Sequence, residues 1–307
     1  MRKWMFLTVL YLGLQATGAW AQLAGEAVPW TRIPTDPRSA AMGESMDALA
    51  EGTAALSANP AGLGFLNQTM VSFDQNFWIQ GISMQHGAVA GSSGNVGFGL
   101  AADYLDFGTI QSTAVSGGEG IVTGTLNPQA YVITGAMGLQ MATNFYAGVA
   151  AKYLDQNLSN DPETSLAGNV GVLYRMEGSF SLGLALLNIG KPLDGFNLPL
   201  NLVGGISTHF DIGGPFGAQT HAISLAVGGS YLPDAQSGSF SVGGEYWYRH
   251  FVALRAGYNM SPYAQSDDLQ GLTFGGGIKV DRFELSYAMT TLGSVGNANQ
   301  VELSMKL

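Results

Sequence analysis

Strict alternation is the feature that most limits how this chain can fold. From Thr69 onward, segments of about ten residues place an apolar side chain at every second position, with small or polar residues between them. In GLTFGGGIKV, Leu272, Phe274, Ile278 and Val280 fall on one face, and Thr273, Gly275, Gly277 and Lys279 on the other. In FELSYAM, Phe283, Leu285, Tyr287 and Met289 oppose Glu284, Ser286 and Ala288. Side chains alternate across a strand, so every segment has one greasy and one polar face. About fourteen such segments occur, an even number within the range of outer-membrane barrels. They start near Thr69, Gln80, Asn95, Thr125, Asn144, Thr164, Ser179, Pro199, Thr220, Ser239, Phe251, Gln270, Arg282 and Asn299. The expected fold is an all-β transmembrane barrel of antiparallel strands over residues 69–307, in contact with outer-membrane lipid.

Composition says which face meets what. Charged residues make up only 11% of the 307 residues, hydrophobic residues 46%, and there are 44 glycines. The non-apolar face is mostly Gly, Ser and Ala with scattered charge, which suits a narrow lumen, while the apolar face suits lipid. The net charge of −10 offers no basic stripe for nucleic acid. With no cysteine, disulfides, thiolate metal sites and a lipidated cysteine are excluded.

The N-terminus, MRKWMFLTVLYLGLQATGAWAQ, has the layout of a cleaved secretory signal over residues 1–21: Arg2 and Lys3, an apolar core from Trp4 to Leu14, and Ala19-Trp20-Ala21. No later segment has the ~20 uninterrupted apolar residues of a spanning helix. Export to the outer membrane follows.

The connections tend to alternate between longer and shorter, as between outer loops and periplasmic turns. GTIQSTAVSGGEGIVTG and IGKPLDGFNL are long, whereas Ala142-Thr143, Arg249-His250-Phe251 and Asp281-Arg282 are short; DIGGPFGA is long for its side. Trp78, Tyr104, Tyr153, Tyr246, Tyr248 and Tyr258 lie near segment ends, as interfacial girdles would. The short turns set registers. A two-residue turn at Asp281-Arg282 pairs Val280 with Phe283 and puts Lys279 opposite Glu284; a three-residue turn after Tyr248 pairs it with Val252 and puts Glu245 opposite Arg255. Both opposed pairs fall on the polar face, so two charge pairs are expected in the lumen, neutralising one another.

Residues 22–68 do not alternate. They are rich in Ala, Gly and Ser, with Leu and Met at helical spacing, and read as one or two helical turns followed by a break. Asn59-Pro60-Ala61-Gly62 suits a type I turn: Asn first, Pro second, Gly fourth. Pro60 also drives Asn59 out of the helical region. A segment this apolar and this small in its side chains is expected to plug the lumen, which a fourteen-stranded wall cannot fill by itself.

Catalytic and metal patterns are absent. The four histidines, His86, His209, His221 and His250, lack metal-ligand spacing. There is no G-x-S-x-G elbow, GFGLAA at Gly97 is no dinucleotide fingerprint, and Ser83 and His86 fall on opposite faces of one segment. The expectation is a protein without catalysis, cofactor or metal.

The stretch DPRSAAMGESMDALAEGTAALSANPAGLGFLNQTMVSF, Asp36 to Phe73, resembles the N-terminal signature of the PorV/PorQ family, within the FadL-like outer-membrane barrels. Ala41-Met42-Gly43, Ala55-Leu56 and Asn59-Pro60-Ala61-Gly62-Leu63 carry it, and AADYLDFGTI, KYLDQNL and LGLALLNIGKPL agree with the family's strand ends. The resemblance implies a fourteen-stranded barrel with a hatch in its lumen. In FadL-like proteins the hatch gates the passage of hydrophobic molecules; PorV-type members serve type IX protein secretion. A hydrophobic small-molecule ligand would predict an apolar pocket at Leu56, Leu63, Phe65 and Leu66, with Asn59–Gly62 as the gate. A secretion-system protein partner would predict an exposed apolar loop such as PLDGFNLP. A structural barrel with a sealed lumen is the third reading.

Overall fold

The alternating segments form strands whose pairing closes on itself. A computed structural model describes residues 26–307, apart from 117–118, 160, 177–179, 214–218 and 261–269. The expected signal sequence lies outside the described residues. In chain order the strands are β1 (Met70–Phe77), β2 (Ser83–Ser93), β3 (Val96–Asp106), β4 (Ile110–Ser116), β5 (Glu119–Leu126), β6 (Gln129–Ala142), β7 (Phe145–Asn157) and β8 (Pro162–Met176). They continue with β9 (Phe180–Gly190), β10 (Asn201–Gly213), β11 (Gln219–Leu232), β12 (Ser237–Tyr248), β13 (Val252–Met260), β14 (Leu272–Val280), β15 (Phe283–Thr291) and β16 (Asn297–Lys306). Among the described residues, fourteen of these make one closed antiparallel barrel, sealed where β1 pairs with β16. The remaining two, β4 and β5, form a separate hairpin.

The expected starts fall close to the observed ones. The largest offset is at Thr125, against Gln129 for β6. Thr125 belongs instead to β5, because the long connection after β3 is itself a hairpin that its own alternation supports. The DIGGPFGA connection is shorter than it reads, since β10 runs on to Gly213 and pairs it with Gln219. Both turn-derived registers are present: Val280 pairs with Phe283 and Lys279 with Glu284, while Tyr248 pairs with Val252 and Glu245 with Arg255.

Alternation sorts the two faces cleanly. On β1, Ser72, Asp74 and Asn76 are buried toward the lumen, while Val71, Phe73 and Phe77 are exposed outward. The same holds around the ring, with Leu100, Ile133, Leu184, Leu225, Leu254 and Leu303 among the outward side chains. An apolar belt of this extent is stable only against lipid. Aromatic groups mark its rims: Tyr131 and Tyr153 sit 6.2 Å apart near the end with the longer connections. His221, Tyr246 and Tyr248 gather at the short-turn end, where the His221 Nδ1 and Tyr246 hydroxyl are 2.7 Å apart. Trp78 departs from the girdle expectation, since it lines a cavity inside that longer-connection rim.

The described N-terminal segment packs against the lumen-facing side of the wall. It forms helix α1 (Pro37–Ala41) and short 3-10 turns at Pro29–Arg32, Asp47–Leu49, Gly52–Leu56 and Pro60–Phe65, more turns than the one or two expected. Asp36 caps α1 by accepting from the backbone N–H of Arg38 (3.0 Å) and Ser39 (3.1 Å), with Pro37 at the first helical position. Met42, Leu49, Leu56 and Leu63 are fully buried, each contributing on the order of 1.5–3 kcal/mol. The wall admits this backbone because it is small where the two touch. A Cβ built on Gly97, Gly171 or Gly183 would collide with Leu63, Asn59 or Ala48. The high glycine count is therefore partly a packing requirement of the lumen.

Candidate functional site: a filled lumen with two unlike ends

Asn59 is the point where the N-terminal segment is tied to itself and to the wall. It is fully buried and caps the Pro60–Phe65 turn, accepting from the Ala61 N–H at 3.1 Å, while its Nδ2 donates to the Ala48 carbonyl at 2.7 Å and to the Val172 carbonyl of β8 at 3.2 Å. The Gly62 N–H closes the turn onto the Asn59 carbonyl at 3.0 Å. ANPAG thus does more than end a helical element: it starts the next one. Pro60, Ala61 and Gly62 are buried with it, and a Cβ on Gly62 would strike the Ala50 carbonyl.

The four apolar residues expected to share a pocket do not. Leu56 and Leu63 pack with Ala55, Ala88, Ala90, Ala101 and Ala136 and leave no space between them. Phe65 instead faces the short-turn end, half-exposed, with the Arg175 guanidinium 4.3 Å above its ring and Tyr146 edge-on at 5.7 Å. Leu66 packs against the Leu56 cluster from outside and shares with Phe65 the lining of a cavity at that same end. Short side chains in that stretch are used for close approach, which leaves nothing to enclose a ligand.

The apolar space is at the opposite end. There Met84, Leu105, Val132, Leu154, Leu193 and Leu198 form a lumenal cluster, and Ala27, Val28 and Trp30 of the N-terminal segment fill it. The Trp30 Nε1 finds its acceptor in Gln156 at 3.2 Å. Val28 holds a left-handed backbone (φ 46°), an unfavourable state for a β-branched residue. Its carbonyl accepts from the Thr31 N–H and hydroxyl, and the Ala27 N–H is anchored on the Asn197 carbonyl. This strip carried no sequence signal, because its burial depends on strands more than fifty residues away. Leu193 and Leu198 of PLDGFNLP turn into the cluster, so only Phe196 of that loop's large apolar side chains is exposed.

A chain of cavities runs between the segment and the wall. One of about 370 Å³ lies at the longer-connection end, where Ile33, Trp78 and Leu232 share the lining with Arg32, Glu44, Asp47 and several Ser, Thr and Asn side chains. A constriction of about 70 Å³ follows, lined by Asp36, Asp103, Lys152 and Asn188. Lys152 donates to Asn188 at 3.0 Å, and Asn169 to the Ser57 carbonyl at 3.1 Å. Beyond it, cavities of about 350 and 460 Å³ open at the short-turn end.

The short-turn end is ionic. Arg255 donates to Glu245 at 2.8 Å, and Arg38 of α1 forks onto the same carboxylate at 3.0 and 2.7 Å. Arg38 and Arg175 both reach Glu51, at 3.3 and 2.8 Å. Glu245 therefore does more than neutralise its wall neighbour; it holds the N-terminal segment. The expected Lys279–Glu284 pair is opposed in register, but Glu284 takes the Arg255 Nη2 at 3.1 Å instead. The partly buried Glu51 carboxyl is pushed up by desolvation, and the Arg175 and Arg38 guanidiniums override this and hold it down at about 2. Near the other end, desolvation and the neighbouring Asp47 push Glu44 well above the usual carboxylate range.

One Ser-His-Asp arrangement does converge, away from Ser83 and His86. His209 Nδ1 is 3.0 Å from the Ser224 hydroxyl, and its Nε2 is 3.3 Å from Asp211. Ser224 is paired on both sides, with His209 and with Glu245. Its neighbouring amides are committed to those ladders, where acyl transfer needs free donors for the oxyanion.

No protein-family model and no curated protein matches the sequence. Solved structures do resemble the fold. The CymD monoaromatic hydrocarbon channel superposes with a TM-score of 0.59 at 14% identity, covering 88% of this chain and 96% of that one. The toluene transporters TbuX of Ralstonia pickettii and TodX of Pseudomonas putida give 0.57 and 0.55, each at 14% identity with the same coverage. At this identity the likeness is one of fold, a closed antiparallel barrel that superposes on those of the three channels.

Proposed function

We propose that this protein is a non-enzymatic outer-membrane barrel that binds or passes hydrophobic small molecules through a lumen gated by residues 26–68, its hatch. The observation that carries this reading is the apolar cluster at the longer-connection end, filled by Ala27, Val28 and Trp30 and reached through Ile33 from a cavity of mixed lining. Its chemistry is that of a site for an uncharged, apolar molecule of modest size, in keeping with the hydrocarbons and toluene named for CymD, TbuX and TodX. The polar constriction beyond it makes simple diffusion past a fixed hatch unfavourable, so passage requires the hatch to shift. Asn59 is the gate residue in this reading, because it alone caps the final turn and holds the wall.

The finer PorV/PorQ assignment rests on the Asp36–Phe73 signature. A secretion partner finds less support, since the loop proposed to meet it buries two of its leucines.

Flux of a hydrophobic probe such as toluene into proteoliposomes tests the gate. The Asn59→Ala/Pro60→Ala double variant should raise flux while the barrel stays folded. Unchanged flux in a folded variant counts against the gate. A lumen that takes up no apolar probe in either form counts against the whole reading.

A further inference from the structure

The seam where the barrel closes carries an uncompensated set of oxygen atoms. Ser72, Asp74 and Asn76 are successive lumen-facing positions of β1, and their register partners on β16 are Ser304, Glu302 and Gln300. Two carboxylates thus stand directly opposite each other, where cross-strand Cβ atoms are about 4.5–5.5 Å apart. Asp74 is wholly buried, and its carboxylate oxygens make no hydrogen bond of ordinary geometry; the Gln300 amide is the one side chain that approaches it as a donor. Burying such a group alone is costly, and facing it with a like charge is costlier.

The nearest cation, Arg255, acts on Glu302 only at a distance. Among the described residues, no ion pair involves Asp74 or Glu302; Arg255 is spent on Glu245 and Glu284. His86, the neighbour of Asp74 on β2, directs its Nδ1 to Asp103 at 2.6 Å.

Independent of the two acids, three neutral oxygens flank them without a donor: Ser72 Oγ, Asn76 Oδ1 and Gln300 Oε1, on side chains at most 3% exposed. The Gln300 amide is oriented by chemistry, because its Nε2 donates to the Pro34 carbonyl at 3.1 Å. A carbonyl can only accept, so the other amide atom must be the oxygen.

We propose that this seam binds a calcium ion, with Asp74 and Glu302 as charged ligands and Gln300, Asn76 and Ser72 supplying neutral oxygens. Two carboxylates match the charge of a divalent cation. An all-oxygen set mixing carboxylate, amide and hydroxyl groups suits calcium, which accepts six to eight oxygens in flexible geometry at about 2.3–2.6 Å. Zinc and copper sites draw mainly on nitrogen and sulfur donors, and the nearest nitrogen donor, His86, is turned by its Nδ1 to Asp103. Glu302 borders the 350 Å³ cavity at the short-turn end, which gives the ion an entry path. The ion would tie the first strand to the last, where the ring has no covalent continuity, and Gln300 would pass the constraint to Pro34 of the hatch.

The test uses the full-length barrel in detergent. After chelation, wild type should take up about one calcium per barrel, matching the single seam, and its Tm should climb with the logarithm of calcium concentration. Asp74→Asn and Glu302→Gln should each weaken calcium binding at least roughly tenfold and flatten that climb. Asp281→Asn, on an exposed turn away from the seam, should leave it intact. Calcium uptake that survives both seam substitutions overturns the proposal, as binding at surface acids. So does a chelated wild type indifferent to calcium, with Asp74→Asn more stable at neutral pH, because the seam is then neutralised by protons. The wild-type arm decides even where a variant fails to fold.

Discussion

The two ends of the lumen are built from opposite chemistry on one scaffold. At the longer-connection end, leucines, valines and a tryptophan surround the start of the N-terminal segment. At the short-turn end, Arg38, Glu51, Arg175, Glu245 and Arg255 bind the same segment through charge. Apolar packing is non-directional and tolerates exchange of one apolar occupant for another. A buried ion network tolerates neither displacement nor loss of a partner. The difference teaches where the segment can yield: the Ala27–Trp30 strip is held mainly by apolar packing, while α1 is fastened by charge.

The largest break in that comparison should come from Glu245→Ala. It strips Arg38 and Arg255 of their shared carboxylate and should cost about 3–5 kcal/mol, seen as a lower Tm and as protease cleavage within residues 36–65. Next is Trp30→Ala. Removing a buried indole should cost roughly 3 kcal/mol, yet uptake of an apolar probe should rise because the strip no longer fills its own cavity. Loss of stability without added uptake would show the tryptophan to be structural only. Gly183→Ala tests the middle, where the new methyl meets the Ala48 carbonyl; overpacking of this kind costs about 1–3 kcal/mol, and hydrogen exchange at residues 47–56 should accelerate.

The smallest effect sharpens the contrast by pH. Glu51 sits below its usual value, so its contribution is present above about 4.5 and is lost as pH falls toward about 2. Its side chain is 39% exposed, which keeps the effect modest. Glu44 is raised, so its contribution is present at low pH and fades as pH rises above the usual carboxylate range. Hydrogen exchange should therefore loosen the ionic end first on acidification and the Glu44 region first on alkalinisation.

Much of the fold was legible because period-two patterning is local: a strand's two faces can be read from its own ten residues, and a two-residue turn such as Asp281-Arg282 sets the pairing of both neighbours. The candidate site was legible only in part. Asn59 announced itself through turn chemistry, and Glu245 opposite Arg255 followed from a turn. Arg38 did not, since its partner lies 207 residues away. Leu56, Leu63, Phe65 and Leu66 form a sequence cluster, but their side chains leave the short turns in different directions and enclose nothing in common.

By itself the sequence determined the barrel, its strand number, its lipid and lumen faces and the presence of a small-residue segment outside the sheet. These follow from alternation, turn residues and side-chain size, all properties of near neighbours. Only the tertiary structure decided that the lumenal apolar cluster takes in Ala27–Trp30, that charge fastens α1 to the wall, and that Asp74 meets Glu302 across the seam. Those contacts join residues that ring closure alone brings together, and no local pattern encodes the distance between the first strand and the last.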